Sequence, residues 1–99
     1  VHWVYRGSGN SQVALFDIVK LYGKRIAELH LRQSKGGIWQ ETFTEGDIDY
    51  PKLVQMLDNM GVKPHLVLKQ CLEKTSPKTM DGVRAHREDL VYVKKVFGV

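Results

Sequence analysis

The sequence predicts an α/β chain built of three consecutive parallel βα units. Short runs of β-branched, aliphatic and aromatic residues fall at residues 1–5, 26–31 and 65–68, and each reads as a strand. A stretch with helical spacing of apolar residues follows each run. Helices between successive strands imply parallel pairing through crossover connections.

The elements follow in order. Val1-His2-Val4-Tyr5 with Trp3 is strand-like, His2 and the following Arg6 being the polar exceptions, and Gly7-Ser8-Gly9-Asn10 is a loop. Asn10 or Ser11 caps a helix from Gln12 to Tyr22, with Val13, Phe16, Ile18, Val19 and Leu21 as its apolar stripe. Gly23 is expected to end it in a left-handed cap, with Lys24 and Arg25 beside the negative end of the dipole. Residues 26–31 make the second strand. The connection from Arg32 to Asp47 is long, and such loops are commonly functional. Asp49 caps the next helix, Pro51 sits in its first turn, and Leu53, Val54, Met56, Leu57 and Met60 form its buried face. Gly61 closes that helix. His65-Leu66-Val67-Leu68 is the third strand, residues 71–81 form a polar loop, and the last helix runs from Val83 or His86 to Phe97. Leu90, Val93, Val96 and Phe97 are expected to face inward.

Composition bounds the function. The 99 residues are one domain's worth, and a hydrophobic content of 42% with 26% charged residues is that of a folded chain. Net charge is +4, but the cations are scattered and no basic run with interleaved aromatics appears, which argues against nucleic acid as the partner. The single cysteine, Cys71, excludes an internal disulfide and reads as a small buried thiol in a cytoplasmic setting. No apolar run reaches the ~20 residues of a membrane span, so no membrane partner is expected. The chain starts at Val1 inside a strand-like run, so either residues were removed or this is one piece of a longer protein. Three strands do not close a barrel, and about 33 residues per unit matches the ~250 residues of an eight-unit barrel. The chain is therefore either a small layered α/β module or the C-terminal part of a (β/α)8 barrel.

Several side chains are placed for chemistry. His30 lies on an alternating strand, opposite in face to Leu29 and Leu31. Arg32 follows at the strand's end and suits bidentate recognition of a carboxylate or phosphate, or is a surface charge. His2 beside Trp3 and Arg6 can contact a substrate hydroxyl, or belongs to an exposed terminus. Trp39 can stack on a sugar face with Glu41 as a nearby acceptor, or anchors the long loop. Lys69 at the end of the third strand can act as a base or Schiff-base former, or is a surface cation. Asp47 and Asp49 read as turn and capping residues.

Val1-His2-Trp3 with Arg6-Gly7, Arg25-Ile26 leading into Leu29-His30-Leu31-Arg32, and Gly46-Asp47-Ile48-Asp49-Tyr50 together resemble the C-terminal segment of xylose isomerase-like TIM barrels, the sugar phosphate isomerase/epimerase superfamily. The resemblance implies that residues 1–99 supply strands six to eight, with metal-assisted proton transfer on a sugar or polyol. It implies His30 as ligand to a divalent metal (Mn, Mg, Zn or Co) and His2 as a substrate contact. Lys69 departs from the family, which carries a metal-ligating Glu there; Arg32-Gln33 replaces its Lys-Asp, and Thr44 its first glycine. Most of the family's ligand set would lie outside this chain, so the isolated chain is expected to be inactive. Abasic-site nucleases of the same superfamily carry an Asp-Arg-His zinc motif where this chain has Ile38, Trp39 and Gln40, which disfavours that activity. The alternative is a non-enzymatic fragment or binding module that completes a barrel with the rest of the protein or with further copies of itself.

Overall fold

The computed structural model describes residues 1–69, 72 and 74–99. The order is α1 (His2–Gly7), α2 (Gln12–Tyr22), a 3-10 turn (Gly23–Arg25), β1 (Glu28–Leu31), β2 (Ser34–Lys35), β3 (Ile38–Trp39), α3 (Tyr50–Asn59), β4 (His65–Leu68) and α4 (Gly82–Phe97). β1 and β4 pair in parallel, Glu28 opposite His65 through Leu31 opposite Leu68, with α3 in the crossover between them. β2 and β3 form a separate antiparallel hairpin inside the long loop. The expected three consecutive parallel βα units, and the partial (β/α)8 barrel built on them, are therefore corrected: the described residues contain one parallel pair and one antiparallel pair.

The missing strand is the first. Residues 1–5 have strand-like composition, but His2 and Tyr5 are three apart and both are buried, while Trp3 and Val4 are exposed. That is helical spacing, and a contact with α2 on one side decides it over intrinsic β-propensity. The Ser8 hydroxyl donates to the Tyr5 carbonyl at 2.9 Å, and Gly9 and Asn10, both with positive φ, turn the chain into α2. Ser11 caps α2, accepting from the Ala14 amide at 3.1 Å.

Burial on α2 is narrower than its sequence suggests. Leu15, Phe16 and Val19 are buried; Val13, Ile18 and Leu21 face outward. Gly23 is not a left-handed cap. Its φ is −54° and the chain continues into the 3-10 turn. A Cβ on Gly23 would lie 2.6 Å from Met60 Sδ, so close packing against the end of α3 is what requires glycine there. Asp49 does cap α3, accepting from the Lys52 amide at 3.1 Å, and Pro51 stands in the first turn.

Leu29 and Leu31 point into the core, which gathers Leu15, Phe16, Val19, Phe43, Tyr50, Leu53, Leu57 and Val93 from the helices and the long loop. Glu28, His30, His65 and Val67 lie on the other, uncovered face of the sheet. The molecule is 18 Å in its shortest dimension, which accommodates one layer of helices on one sheet. α4 buries Ala85, Asp89 and Val93; the expected inward Leu90 is exposed. No helix among the described residues is long and apolar enough to cross a membrane. Cys71 lies outside the described residues.

The long loop is folded rather than slack. The buried Gln33 amide donates to the carbonyls of Thr44 and Ile48, each at 3.0 Å, and accepts from the Ser34 amide at 3.1 Å and the Ile48 amide at 3.0 Å. Gly46 packs under this staple: a Cβ there would lie 2.3 Å from the Ser34 carbonyl oxygen and 2.6 Å from Gln33 Cγ. Gly46→Ala is expected to destabilise the protein by about 2 kcal/mol through overpacking. Gly7→Ala, with open space around its Cβ, should be neutral or slightly stabilising. Urea unfolding midpoints of the two variants check this.

Candidate functional site

The carboxyl ends of parallel strands are where ligand-binding side chains collect in α/β proteins. Here β1 ends at Leu31 and β4 at Leu68, so Arg32 and Lys69 leave the sheet side by side; the Lys69 amide still donates to the Leu31 carbonyl at 3.1 Å. Tyr50 fixes the backbone of Arg32 from both sides. Its hydroxyl donates to the Arg32 carbonyl at 2.5 Å and accepts from the Arg32 amide at 3.2 Å. Burial pushes the Tyr50 phenol well above its ordinary value, which keeps that hydroxyl protonated and able to donate.

The Arg32 side chain is buried and lies over the Trp39 ring, its guanidinium carbon 3.2 Å from the ring centroid. Arg6, from α1, reaches the same indole at 4.4 Å. Each such contact contributes about 0.5–2 kcal/mol, the upper end applying when the cation is desolvated. Trp3 and His2 meet Trp39 edge-on, at 5.6 and 5.8 Å between ring centroids. The indole Nε1–H of Trp39 donates to His2 Nδ1 at 3.2 Å. Three elements thus converge on one indole: α1 through His2, Trp3 and Arg6, the end of β1 through Arg32, and β3 through Trp39 itself.

His2 is only 4% exposed. Its imidazole is pushed down to about 4, first by burial and then by the charges of Arg32, Arg6 and the chain's amino end, against a weaker opposing pull from Asp47. Asp47 is engaged elsewhere. Its carboxylate accepts from the Ser34 hydroxyl at 2.8 Å, the Gly36 amide at 2.9 Å and the Gly37 amide at 2.8 Å, and so holds the β2–β3 turn. Burial works to raise its pKa, but the hydrogen bonds from Gly37, Ser34 and Gly36 prevail and hold it below its ordinary value.

The remaining sequence candidates separate from this cluster. Glu41 is buried and fastens the approach to α4. It accepts from the Thr79 amide at 2.7 Å, the Thr79 hydroxyl at 2.9 Å and the Met80 amide at 2.7 Å. The hydrogen bond from the Thr79 amide, with those from Met80 and the Thr79 hydroxyl, holds its carboxyl below the usual range. His30 stands on the uncovered face of the sheet, its Nε2 2.6 Å from Glu28 Oε1, both side chains about half exposed. His30 is the one metal ligand that the family resemblance implies in this chain, and among the described residues no group of three or more His, Cys, Asp or Glu is placed to hold a metal ion. Two cations, Arg32 and Lys69, follow the strands that would carry the ligands.

Two structural residues of the site escape sequence reasoning. Gln33 gives no local signal beyond its place at a strand end. Asp89 is fully buried on α4 and accepts from the Phe43 amide at 2.5 Å, a contact across 46 residues. No family model, curated protein or solved structure matches the chain.

Two outcomes follow from these bonds. The folded pKa of His2 lies below its ordinary 6.5, so the unfolded chain takes up the proton first as pH falls. The stability gained by holding the ring neutral is complete above about pH 6.5 and is lost progressively down to about pH 4. Between pH 7 and 4.5, His2→Phe should lose roughly 1–2 kcal/mol less stability than the native chain in urea titrations, allowing for solvent screening. Glu41→Gln should accelerate amide hydrogen exchange at Thr79 and Met80 while leaving Leu53 and Leu57 in α3 protected.

Proposed function

We propose that this chain is the substrate-binding section of a sugar isomerase- or epimerase-like protein, taking a hydroxylated small molecule at the ends of β1 and β4. The observation that carries this reading is the buried Arg32 guanidinium stacked on Trp39, beside His2 and Arg6, where two parallel strands end. The His2 imidazole, whose Nε2 has no hydrogen-bond partner among the described residues, can supply a hydrogen bond to a ligand oxygen. The resemblance of the segments around His2, His30 and Gly46-Asp47-Ile48-Asp49-Tyr50 to sugar isomerases and epimerases supports the same substrate class. Lys69, next to Arg32 across the strand ends, adds a third cation to the rim. The chemistry assigned to this chain is binding and orientation.

Trp3→Phe leaves Trp39 as the remaining tryptophan, since the chain has two. In that background, addition of aldoses, ketoses, polyols and sugar acids is expected to give a saturable change in Trp39 fluorescence with at least one class. Arg32→Leu should weaken that binding at least tenfold. The absence of a saturable response to every class would overturn the reading.

A further inference from the structure

Helix α4 carries more apolar side chains than the core takes up. Ala85, Asp89 and Val93 are buried, whereas Val83 is 64% and Leu90 47% exposed. Val83, Leu90 and the half-buried Phe97 recur every seventh residue, so they line one flank of the helix over about 21 Å. Tyr92, two residues beyond Leu90 and so on the opposite side of α4, is the one that meets Phe43, at 5.2 Å between ring centroids. The stripe of Val83 and Leu90 is left bare.

Cations alternate with that stripe. Arg87 lies four residues after Val83 and three before Leu90, and Lys94 stands in the same relation to Leu90 and Phe97. Both are exposed, and among the described residues neither forms an ion pair. The carboxylates of the helix and its cap are engaged away from them. Glu88 Oε1 stands 3.5 Å from Arg84 Nε, Asp81 accepts from the Arg84 amide at 2.8 Å, and the buried Asp89 accepts from the Phe43 amide.

We infer that this flank of α4 is a docking seam for an acidic amphipathic α-helix of a partner protein. Apolar side chains at heptad spacing would pack on Val83, Leu90 and Phe97, and flanking Glu or Asp would meet Arg87 and Lys94. The charges select this occupant. A second copy of the chain would set Arg87 and Lys94 against their own counterparts, which is unfavourable. A helix lying on a bilayer holds its cations across from a broad apolar face. Here the side across from the cations is the protein's own core, and the bare stripe is one side chain wide. The inference is independent of the sugar-binding reading.

The probe is a dye-labelled designed peptide of about four heptads, Leu at a and d and Glu at e and g, whose like charges suppress self-pairing. Titration with the full chain, followed by fluorescence anisotropy, should saturate with a Kd on the order of 10–100 μM, the range of a small interface. The same peptide with Lys in place of Glu should bind at least tenfold more weakly. The double variant Arg87→Glu, Lys94→Glu should reverse that preference. Leu90→Asp, at an exposed position, should weaken binding at least tenfold while the circular dichroism spectrum stays unchanged. Amide shifts at saturation should centre on residues 83–97 and spare Arg32 and Trp39. No saturation by the Glu peptide, equal binding of both peptides, or an unaltered preference in the charge-reversed chain would overturn the inference. So would a dimer in sedimentation that Leu90→Asp dissolves, which would make a second copy the occupant. Binding to vesicles of phosphatidylserine and phosphatidylcholine without binding to the peptide would assign the seam to a bilayer instead and overturn it too.

Discussion

The side-chain amide of Gln33 holds together the part of the molecule that matters for its chemistry. An amide can form four hydrogen bonds, and Gln33 makes all four to backbone groups: two as donor to Thr44 and Ile48, two as acceptor from Ser34 and Ile48. A fully matched buried amide is stabilising and specific; a half-matched one would be worse than an apolar side chain. The staple closes the segment between β1 and α3 over itself. It sets where Arg32 leaves the sheet and where the hairpin bearing Trp39 begins. Gly46 is the negative image of that amide, a place where no side chain fits.

Around this frame the charges are arranged asymmetrically. Two carboxylates of the loop are engaged in its structure, Asp47 in the turn at Gly36-Gly37 and Glu41 at Thr79-Met80. The cations Arg6, Arg32 and Lys69 are grouped near the strand ends. Burying Arg32 carries a desolvation cost that the face of Trp39 offsets, because an aromatic ring can attract a cation without neutralising it. The neutral state of His2 follows first from its burial and then from the charges of Arg32 and Arg6.

Local structure was legible in the sequence wherever a local rule governs it. Asp49 and Pro51 announce α3, the helix Gln12–Tyr22 has its cap at Ser11, and the short apolar run His65–Leu68 is a strand. His2, Arg32 and Trp39 stood out as polar or aromatic residues at element ends, and they do meet. The first strand was misread because Val1, Trp3, Val4 and Tyr5 favour a strand by composition, while burial of His2 and Tyr5 on one side selects a helix. That single substitution of helix for strand removes the third parallel pairing. The structural bonds of Glu41, Gln33 and Asp89 were invisible in the sequence for a common reason. Their partners are distant or are backbone groups: Glu41 meets Thr79 across 38 residues, Asp89 meets Phe43 across 46, and every partner of Gln33 is main chain. Spacing rules carry no information on such contacts.

The uncovered face of the β1–β4 pair has an implication for how this sequence is free to change. Glu28, His30, His65 and Val67 contribute little to the core, and a half-exposed pair such as Glu28 with His30 adds between nothing and about 1 kcal/mol. Strand propensity favours Thr, Val or Ile at such positions over an acidic residue. Selection for folding alone would let these sites drift towards β-branched side chains at no thermodynamic cost. Two imidazoles and a carboxylate on that surface are accordingly an expense that stability does not explain.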